Sequence, residues 1–189
     1  YSEDSFTPSE FELTDVLQAG ENKLAVQVYK WTSGSWCEDQ DFFRFSGIFR
    51  SVYLYAVPDT HISDVRIRTD LNGEYSRADL VVTLTGLMNK ATAVSSARAR
   101  LVLTDGAAAI AEVETVLTEG ENQPVHMAVD APRLWSAEKP FLYELTITVY
   151  GADGKVAELI PQKVGFRRFA IDNGIMTING KRIVFKGAD

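Results

Sequence analysis

Apolar and polar residues alternate with a period of two along most of the sequence, and no stretch of 11 or more residues has an apolar face at helical spacing. Leu24, Val26 and Val28 interleave with Ala25, Gln27 and Tyr29, and Val52, Leu54 and Ala56 interleave with Tyr53, Tyr55 and Val57. A strand points successive side chains to opposite faces, so each set suits a strand with one strongly buried face. The chain is therefore expected to be all-β. Between these two runs, Trp31 to Gly47 holds Gly34, Ser35, Glu38, Asp39 and Asp41 with no lasting period, and it reads as a long, partly ordered loop.

Val57-Pro58-Asp59-Thr60 interrupts the pattern, because proline lacks a backbone donor and biases its predecessor away from the helical region. A domain boundary is expected there. Beyond it, strand-like runs fall near 61–69, 78–87, 97–104, 109–118, 123–129, 141–150 and 156–169, punctuated by Asn72-Gly73, Asp105-Gly106, Glu119-Gly120 and Asp153-Gly154. Seven short strands over about 110 residues predict an immunoglobulin-like β-sandwich, without the cysteine pair of antibody domains. Asn173-Gly174 and Asn179-Gly180 then bracket Ile175, Met176 and Ile178, and Ile183, Val184 and Phe185 run on to Gly187-Ala188-Asp189. That tail reads as a hairpin leading into further structure.

Composition removes several classes of function. Of 189 residues, 19 are Lys or Arg and 26 Asp or Glu, giving a net charge of −7 with no basic run to neutralise phosphates. Nucleic acid and anionic membranes are poor partners for such a chain. The single cysteine, Cys37, forms no internal disulfide and leans towards a reducing cytoplasm, and two distant histidines, His61 and His126, lack zinc-ligand spacing. No apolar run approaches the roughly 18 residues of a membrane helix, and a start at Tyr1 reads as a cut within a longer protein.

The densest acidic stretch is Glu38, Asp39 and Asp41. Side chains two apart on extended backbone share a face about 6.6 Å apart. Retaining glycosidases space their carboxyl groups about 5 to 5.5 Å and inverting ones about 6.5 to 9.5 Å, so spacing alone leaves a catalytic pair open. Carboxylate oxygens in a loop suit a hard cation or a substrate hydroxyl better. Trp31, Trp36, Phe42, Phe43, Phe45 and Phe49 surround this stretch. Most are expected in the core, and Trp36, beside Gly34 and Ser35, is the one best placed to stack on a sugar ring. Arg44 and Arg50 are expected to pair with Asp39, Asp41 or another domain, and Arg167 and Arg168 to tie the sandwich to its neighbour. Cys37 lacks the basic surroundings of a nucleophilic thiolate, and neither histidine belongs to a visible triad.

The segment Trp31-Thr-Ser-Gly-Ser-Trp-Cys-Glu-Asp-Gln-Asp-Phe-Phe-Arg-Phe-Ser-Gly-Ile-Phe-Arg50-Ser-Val-Tyr-Leu resembles the β-galactosidases of glycoside hydrolase family 2. So do Ser9-Glu-Phe-Glu-Leu-Thr with Gly20-Glu-Asn-Lys-Leu-Ala-Val, Leu134-Trp-Ser-Ala-Glu-Lys-Pro-Phe-Leu-Tyr143, and Val164-Gly-Phe-Arg167 leading to Ile178-Asn-Gly-Lys-Arg-Ile-Val-Phe-Lys-Gly187. The likeness spans the chain in order. The related β-glucuronidases and β-mannosidases share the Gly-Ile-x-Arg and Trp-Ser-x-x-x-Pro-x-Leu-Tyr themes, whereas Glu38-Asp-Gln-Asp41 resembles the galactosidase version.

The resemblance implies that residues 1–57 are the later part of a jelly-roll, sugar-binding-type domain. It makes 58–169 an immunoglobulin-like sandwich and 170–189 a hairpin and first strand of a (β/α)₈ barrel, whose active site would lie at the C-terminal ends of its strands. It places the two catalytic glutamates and the magnesium ligands further along the complete enzyme, and no glutamate here matches either. Asp41 matches the family's aspartate that contacts a sodium ion and the galactosyl 6-hydroxyl. At Gly187-Ala188-Asp189 the chain departs from the Gly-Val-Asn or Gly-Ala-Asn that family members commonly carry before Arg-His.

Three expectations compete. The first is a non-catalytic segment of a retaining β-galactosidase acting on β-galactosides such as lactose, a homo-oligomer when complete. The second is a stand-alone carbohydrate-binding or adhesive β-sandwich. The third is a sister β-glucuronidase or β-mannosidase. Half a jelly roll exposes strand edges, so residues 1–57 are expected to be poorly ordered alone.

Overall fold

A computed structural model describes residues 1–3, 7–37, 46–89, 94–185 and 187, and divides into two units, Tyr1–Tyr55 and Ala56–Asp189. The second unit follows its alternation pattern closely. It contains β1 (Thr60–Leu71), β2 (Arg77–Met88), β3 (Ser96–Asp105), β4 (Ala108–Thr118), the short β5 (Gly120–Glu121), β6 (Val125–Asp130), β7 (Tyr143–Tyr150) and β8 (Val156–Val164). Three short strands follow: β9 (Phe169–Asp172), β10 (Ile175–Ile178) and β11 (Lys181–Arg182).

β1 to β8 make two sheets. In one, β2 lies between β1 and the pair β5 and β6; the other runs β4-β3-β7-β8, and every ladder is antiparallel. The chain crosses between sheets after β2, after β4 and after β6, which makes a sandwich. Leu80, Val82, Leu84, Met127 and Val129 project inward from the first sheet, and Leu101, Leu103, Leu145, Ile147 and Val149 from the second, all buried. They recur at every second position because the strand period is two, and the burial of two facing stripes is what holds the sheets together. Asn122 closes the corner after β5: its amide nitrogen donates to the Leu84, Thr118 and Gly120 carbonyls, and its oxygen accepts from the Thr118 N–H.

The turns show where sequence and structure part. Gly106, Gly120 and Gly154 take φ of +58°, +79° and +75°, as their turn signals predict. At Asn72-Gly73 the positive φ falls instead on Tyr75, at 58°, because the Asn72 carboxamide accepts from the Ser76 and Arg77 N–H groups and shifts the tight bend along the chain. The run expected over 156–169 divides after Val164. There Gly165 lies against the Trp135 ring, Phe166 is fully buried, and Leu134 bridges to it outside the sheets.

β9, β10 and β11 form a separate antiparallel sheet in the order β11-β10-β9. Both connections use the expected Asn-Gly pairs, with φ of 50° and 77° at Asn173 and Gly174 and 50° and 73° at Asn179 and Gly180. Two successive positive φ values are the signature of a type I′ hairpin turn. The expected hairpin is thus a three-stranded meander.

In the first unit, Thr14–Val16 and Ser33–Trp36 form single 3₁₀ turns, and no described residue lies in a strand or is buried. Leu24, Val26 and Val28 are exposed, as are Val52 and Leu54. The alternation expected to make strands is present but no ladder forms, since a strand is stable only when its backbone groups and apolar face both find partners. The Glu10 carboxylate, through its charge and a hydrogen bond, pushes the Tyr55 phenol above its ordinary pKa, so the first and last segments of this unit lie side by side.

The facing stripes account for stability in the second unit. Leu101→Ala is expected to destabilise the chain by about 2 to 5 kcal/mol in urea unfolding, whereas Val116→Ala on exposed β4 should stay within about 0.5 kcal/mol.

Candidate functional site

The sequence directs attention to Trp31–Gly47, and its described part begins with a tight turn. The Thr32 N–H donates to the Ser35 hydroxyl at 2.9 Å, the Ser35 N–H returns to the Thr32 carbonyl at 3.1 Å, and the Cys37 N–H closes on the Gly34 carbonyl at 2.9 Å. Short polar side chains that bond back to nearby backbone fold such turns locally, without tertiary help. Gly34 and Ser35 form the half-buried base. Trp36 stands on the turn with 91% of its surface exposed. A tryptophan held in water by its own turn is an apolar plate with one donor, the form that stacks on a sugar ring.

Neighbouring aromatics are also exposed. Trp31 is 72% exposed with the Lys30 ammonium 5.9 Å from its ring centre, and Phe49 is 51% exposed with the Arg50 guanidinium at 5.5 Å. Trp31 and Phe49, expected in the core, are therefore at the surface of this unit. Gly47 takes a φ of +85°, which a side chain would strain, so the Ser46-Gly47-Ile48 bend depends on glycine. Glu38, Asp39 and Asp41, with Phe42, Phe43, Arg44 and Phe45, lie outside the described residues.

Elsewhere the other candidates fall into structural roles. His61 Nδ1 meets Glu158 Oε1 at 2.8 Å, and the second Glu158 oxygen accepts from the Ile62 N–H at 3.0 Å, joining β1 of one sheet to β8 of the other. His126 Nδ1 lies 2.6 Å from Asp79 across β6 and β2. The Arg167 guanidinium stacks on Trp135 at 4.6 Å, and the Arg168 N–H donates to Asn179. Cys37 is exposed. Among the described residues, no three His, Cys, Asp or Glu side chains gather as a metal site would require. A shallow groove between Asp70, Asn72, Arg77, Asp79 and Ala128 is ringed by charges already paired, Arg68 with Asp70, Arg77 with Asp130 and Asp79 with His126.

Sequence reasoning missed two side chains that organise the second unit. Glu158 clamps the sheets at one edge, and Asn179 donates to the Trp135 carbonyl at 3.0 Å while accepting from the Arg168 N–H at 2.9 Å. Each acts on a partner far away in sequence, so no local pattern marks the role. For Asn179 the hairpin-type Asn-Gly pair was the visible half of the signal.

Comparison with known proteins places this arrangement. The family model "Glycosyl hydrolases family 2, sugar binding domain" matches residues 1–58, and "Glycosyl hydrolases family 2" matches residues 60–167. The chain belongs to glycosyl hydrolase family 2. This family 2 chain is 48% identical over its full length to a β-galactosidase of Halalkalibacterium halodurans, of which it spans 18%, and 47% identical to one of Clostridium acetobutylicum, of which it spans 20%. It thus spans about a fifth of the length of these curated relatives. Among solved structures, a β-glucuronidase of Parabacteroides merdae superimposes with a TM-score of 0.61 at 20% identity, covering 69% of this chain and 17% of that one. A family 2 member from Bacteroides cellulosilyticus gives 0.59 at 22% identity over 69% of this chain and 19% of that one. At such identities the likeness speaks for the fold. Within the family 2 chain, the 60–167 match overlies the β1 to β8 sandwich, and the 1–58 match covers the part that carries Trp36 and Asp41. No helix among the described residues is long and apolar enough to cross a membrane.

The outer faces of the sandwich carry cross-strand ion pairs whose pH response follows from geometry. Arg100 Nε donates to Glu112 at 2.6 Å, which holds the Glu112 carboxyl below its ordinary value and the Arg100 guanidinium above its own. A depressed carboxyl pKa stabilises the fold above the unfolded value, and that contribution is lost as pH falls through the folded one. In melting-temperature measurements, wild type should therefore exceed Glu112→Gln slightly at neutral pH, and the difference should vanish on the acid side of the glutamate range. Salt should shrink it at neutral pH, as for any exposed pair.

Proposed function

We propose that this chain is the non-catalytic part of a β-galactosidase, serving as scaffold and contributing Trp36 and Asp41 to the rim of the sugar site. Full-length similarity to β-galactosidases, at 41% to 48% identity across the curated relatives, is the observation that carries this reading. The β-glucuronidase likeness is a likeness of fold at 20% identity, so galactoside is favoured over glucuronide and mannoside. The sandwich offers no site of its own among the described residues, which weighs against a stand-alone binding module.

In the complete enzyme, hydrolysis of a terminal β-galactoside such as lactose would proceed by double displacement. One carboxylate attacks the anomeric carbon to form a galactosyl ester while a protonated carboxylic acid gives its proton to the departing glycosidic oxygen; the resulting carboxylate then takes a proton from the water that displaces the ester, releasing the sugar with its configuration retained. That pair belongs to the remainder of the enzyme. Trp36 supplies an apolar face that stacks on the ring and fixes its orientation, which lowers the entropy cost of reaching the reactive pose. Asp41 holds the sugar hydroxyl as an acceptor.

A carboxylate oxygen matches the oxygen shell of a hard monovalent cation, and Asp41 would hold sodium there as one ligand among several. The cation supplies a fixed positive charge beside the sugar hydroxyls. Magnesium in the complete enzyme is expected to be held by residues outside this chain.

The complete enzyme should hydrolyse chromogenic β-galactoside in preference to β-glucuronide and β-mannoside, with a rate that rises on adding sodium. Asp41→Asn should lower kcat/KM on the order of tenfold to a hundredfold and blunt the sodium response. Trp36→Ala should raise KM by about threefold to tenfold with a smaller change in kcat. Preference for glucuronide or mannoside, or an Asp41→Asn enzyme with wild-type kinetics, would overturn the assignment.

A further inference from the structure

Three asparagines in this chain precede glycine, in Asn72-Gly73, Asn173-Gly174 and Asn179-Gly180, while Asn22, Asn89 and Asn122 precede the bulkier Lys23, Lys90 and Gln123. Asparagine before glycine is a reactive combination. The glycine nitrogen can reach the carboxamide carbon of the residue before it, and with no Cβ on the glycine nothing shields that nitrogen. What holds the carboxamide and what crowds the glycine then decide whether the pair reacts, and the fold treats the three pairs differently.

At Asn72 the carboxamide is fully engaged. Its oxygen accepts from the Ser76 N–H at 2.9 Å and the Arg77 N–H at 3.1 Å, and its nitrogen donates to the Ser76 hydroxyl at 2.9 Å. Asn179 is half-buried, with its nitrogen donating to the Trp135 carbonyl at 3.0 Å and its oxygen accepting from the Arg168 N–H at 2.9 Å. The glycine after it is crowded as well, since a Cβ built on Gly180 would lie 3.1 Å from the Tyr75 hydroxyl. These bonds must break before either carboxamide can swing to its neighbour's nitrogen, and breaking them costs free energy.

Asn173 differs on each count. It is exposed in the turn between β9 and β10, and its carboxamide has no partner among the described residues. Gly174 has open space where a Cβ would stand, with nothing within 4 Å. The Asp172–Ile175 pairing closes the hairpin below and leaves the two turn residues outside the ladder.

We propose that Asn173 is a site of spontaneous deamidation, and that the fold shields Asn72 and Asn179 from the same reaction. The Gly174 N–H gives its proton to hydroxide, and the nitrogen attacks Cγ of Asn173. The new N–C bond forms, the bond from Cγ to Nδ2 breaks, and ammonia leaves, its added proton coming from water and restoring the hydroxide. Water then opens the cyclic imide in one of two ways. Breaking the new bond leaves an aspartate at position 173, and breaking the original peptide bond leaves an isoaspartyl link, in which the main chain runs through the side chain. One water enters and one ammonia departs, with no oxidant or reductant.

The two products act differently on the turn. Aspartate suits the type I′ turn as asparagine does, because Asp-Gly is also preferred there. Isoaspartate adds a backbone carbon to a two-residue loop and disturbs the register that the loop sets. Either product places a negative charge beside Asp172, whose carboxylate accepts from the Thr177 hydroxyl at 3.0 Å, in a chain already at −7.

Incubation of the 189-residue chain at mildly alkaline pH, followed by tryptic peptide mapping with fragmentation, reads all three sites. Cleavage after Arg68 and Arg77 releases the Asn72 peptide, and cleavage after Arg168 and Lys181 releases one with both Asn173 and Asn179, which fragment ions between them separate. Conditions are chosen so that slow hydrogen exchange at Leu101 and Leu145 reports an intact sandwich. Asn173 should convert at least roughly tenfold faster than Asn72 or Asn179 in the folded chain. Its rate should rise with pH, as removal of the Gly174 amide proton requires. In urea the three rates should come within about threefold of one another, since the bonds that separate them are gone. Equal rates at the three sites in the folded chain would overturn the proposal, as would a slower Asn173. So would a tenfold lead of Asn173 that persists in urea, because sequence neighbours and not the fold would then set the order.

Discussion

Two apolar stripes, facing each other across the sandwich, are the constraint on which the second unit depends. Leu80, Val82 and Leu84 on β2 meet Leu101 and Leu103 on β3 and Leu145, Ile147 and Val149 on β7, with every one at 1% exposure or less. Close packing of this kind leaves little room for adjustment, so the strand register, the crossings between sheets and the corner at Asn122 follow from keeping the stripes in line. Phe166 carries the same core into the link after β8. Its ring packs edge to face on Tyr143, whose ring in turn meets Phe141, and the Tyr143 hydroxyl accepts from the Arg133 N–H. The Leu134 to Phe141 segment is thereby fixed under the meander as well as against the sandwich.

How far this could be read in the sequence depends on the range of each interaction. Strand positions in the second unit were legible because a period of two with a strong apolar stripe has one low-energy arrangement, and the Asn-Gly pairs at 173–174 and 179–180 announced their hairpin turns. Asn72 was read as one turn and makes another, since its carboxamide recruits two downstream amides, a choice local propensity does not decide. Leu24 to Val28 shows the limit from the other side. Its alternation is as clear as that of β3, yet strand structure is a property of paired segments, and the pairing partner is not part of the pattern.

The candidate site was legible in part. Trp36 was singled out because Gly34 and Ser35 precede it, and the turn built by Thr32 and Ser35 does present it to solvent. Asp41 was singled out on chemistry and resemblance together and lies outside the described residues. The roles of Glu158 and Asn179 were hidden, because their partners, Ile62 and Trp135, sit 96 and 44 residues away. Among its described residues the family 2 chain shows a sandwich with charge-paired outer faces, a meander tied to it by Asn179, and a first unit in which Trp31, Trp36 and Phe49 are exposed.

The reacting carboxylates of the complete enzyme are expected outside these 189 residues. A 2-deoxy-2-fluoro-galactoside with a good leaving group slows the second displacement and traps the nucleophile, so peptide mapping by mass spectrometry after its reaction with the complete enzyme locates the attacking residue. A single 2-deoxy-2-fluorogalactosyl adduct on a carboxylate outside this chain is the expected result. An adduct on Glu38, Asp39 or Asp41 would contradict it.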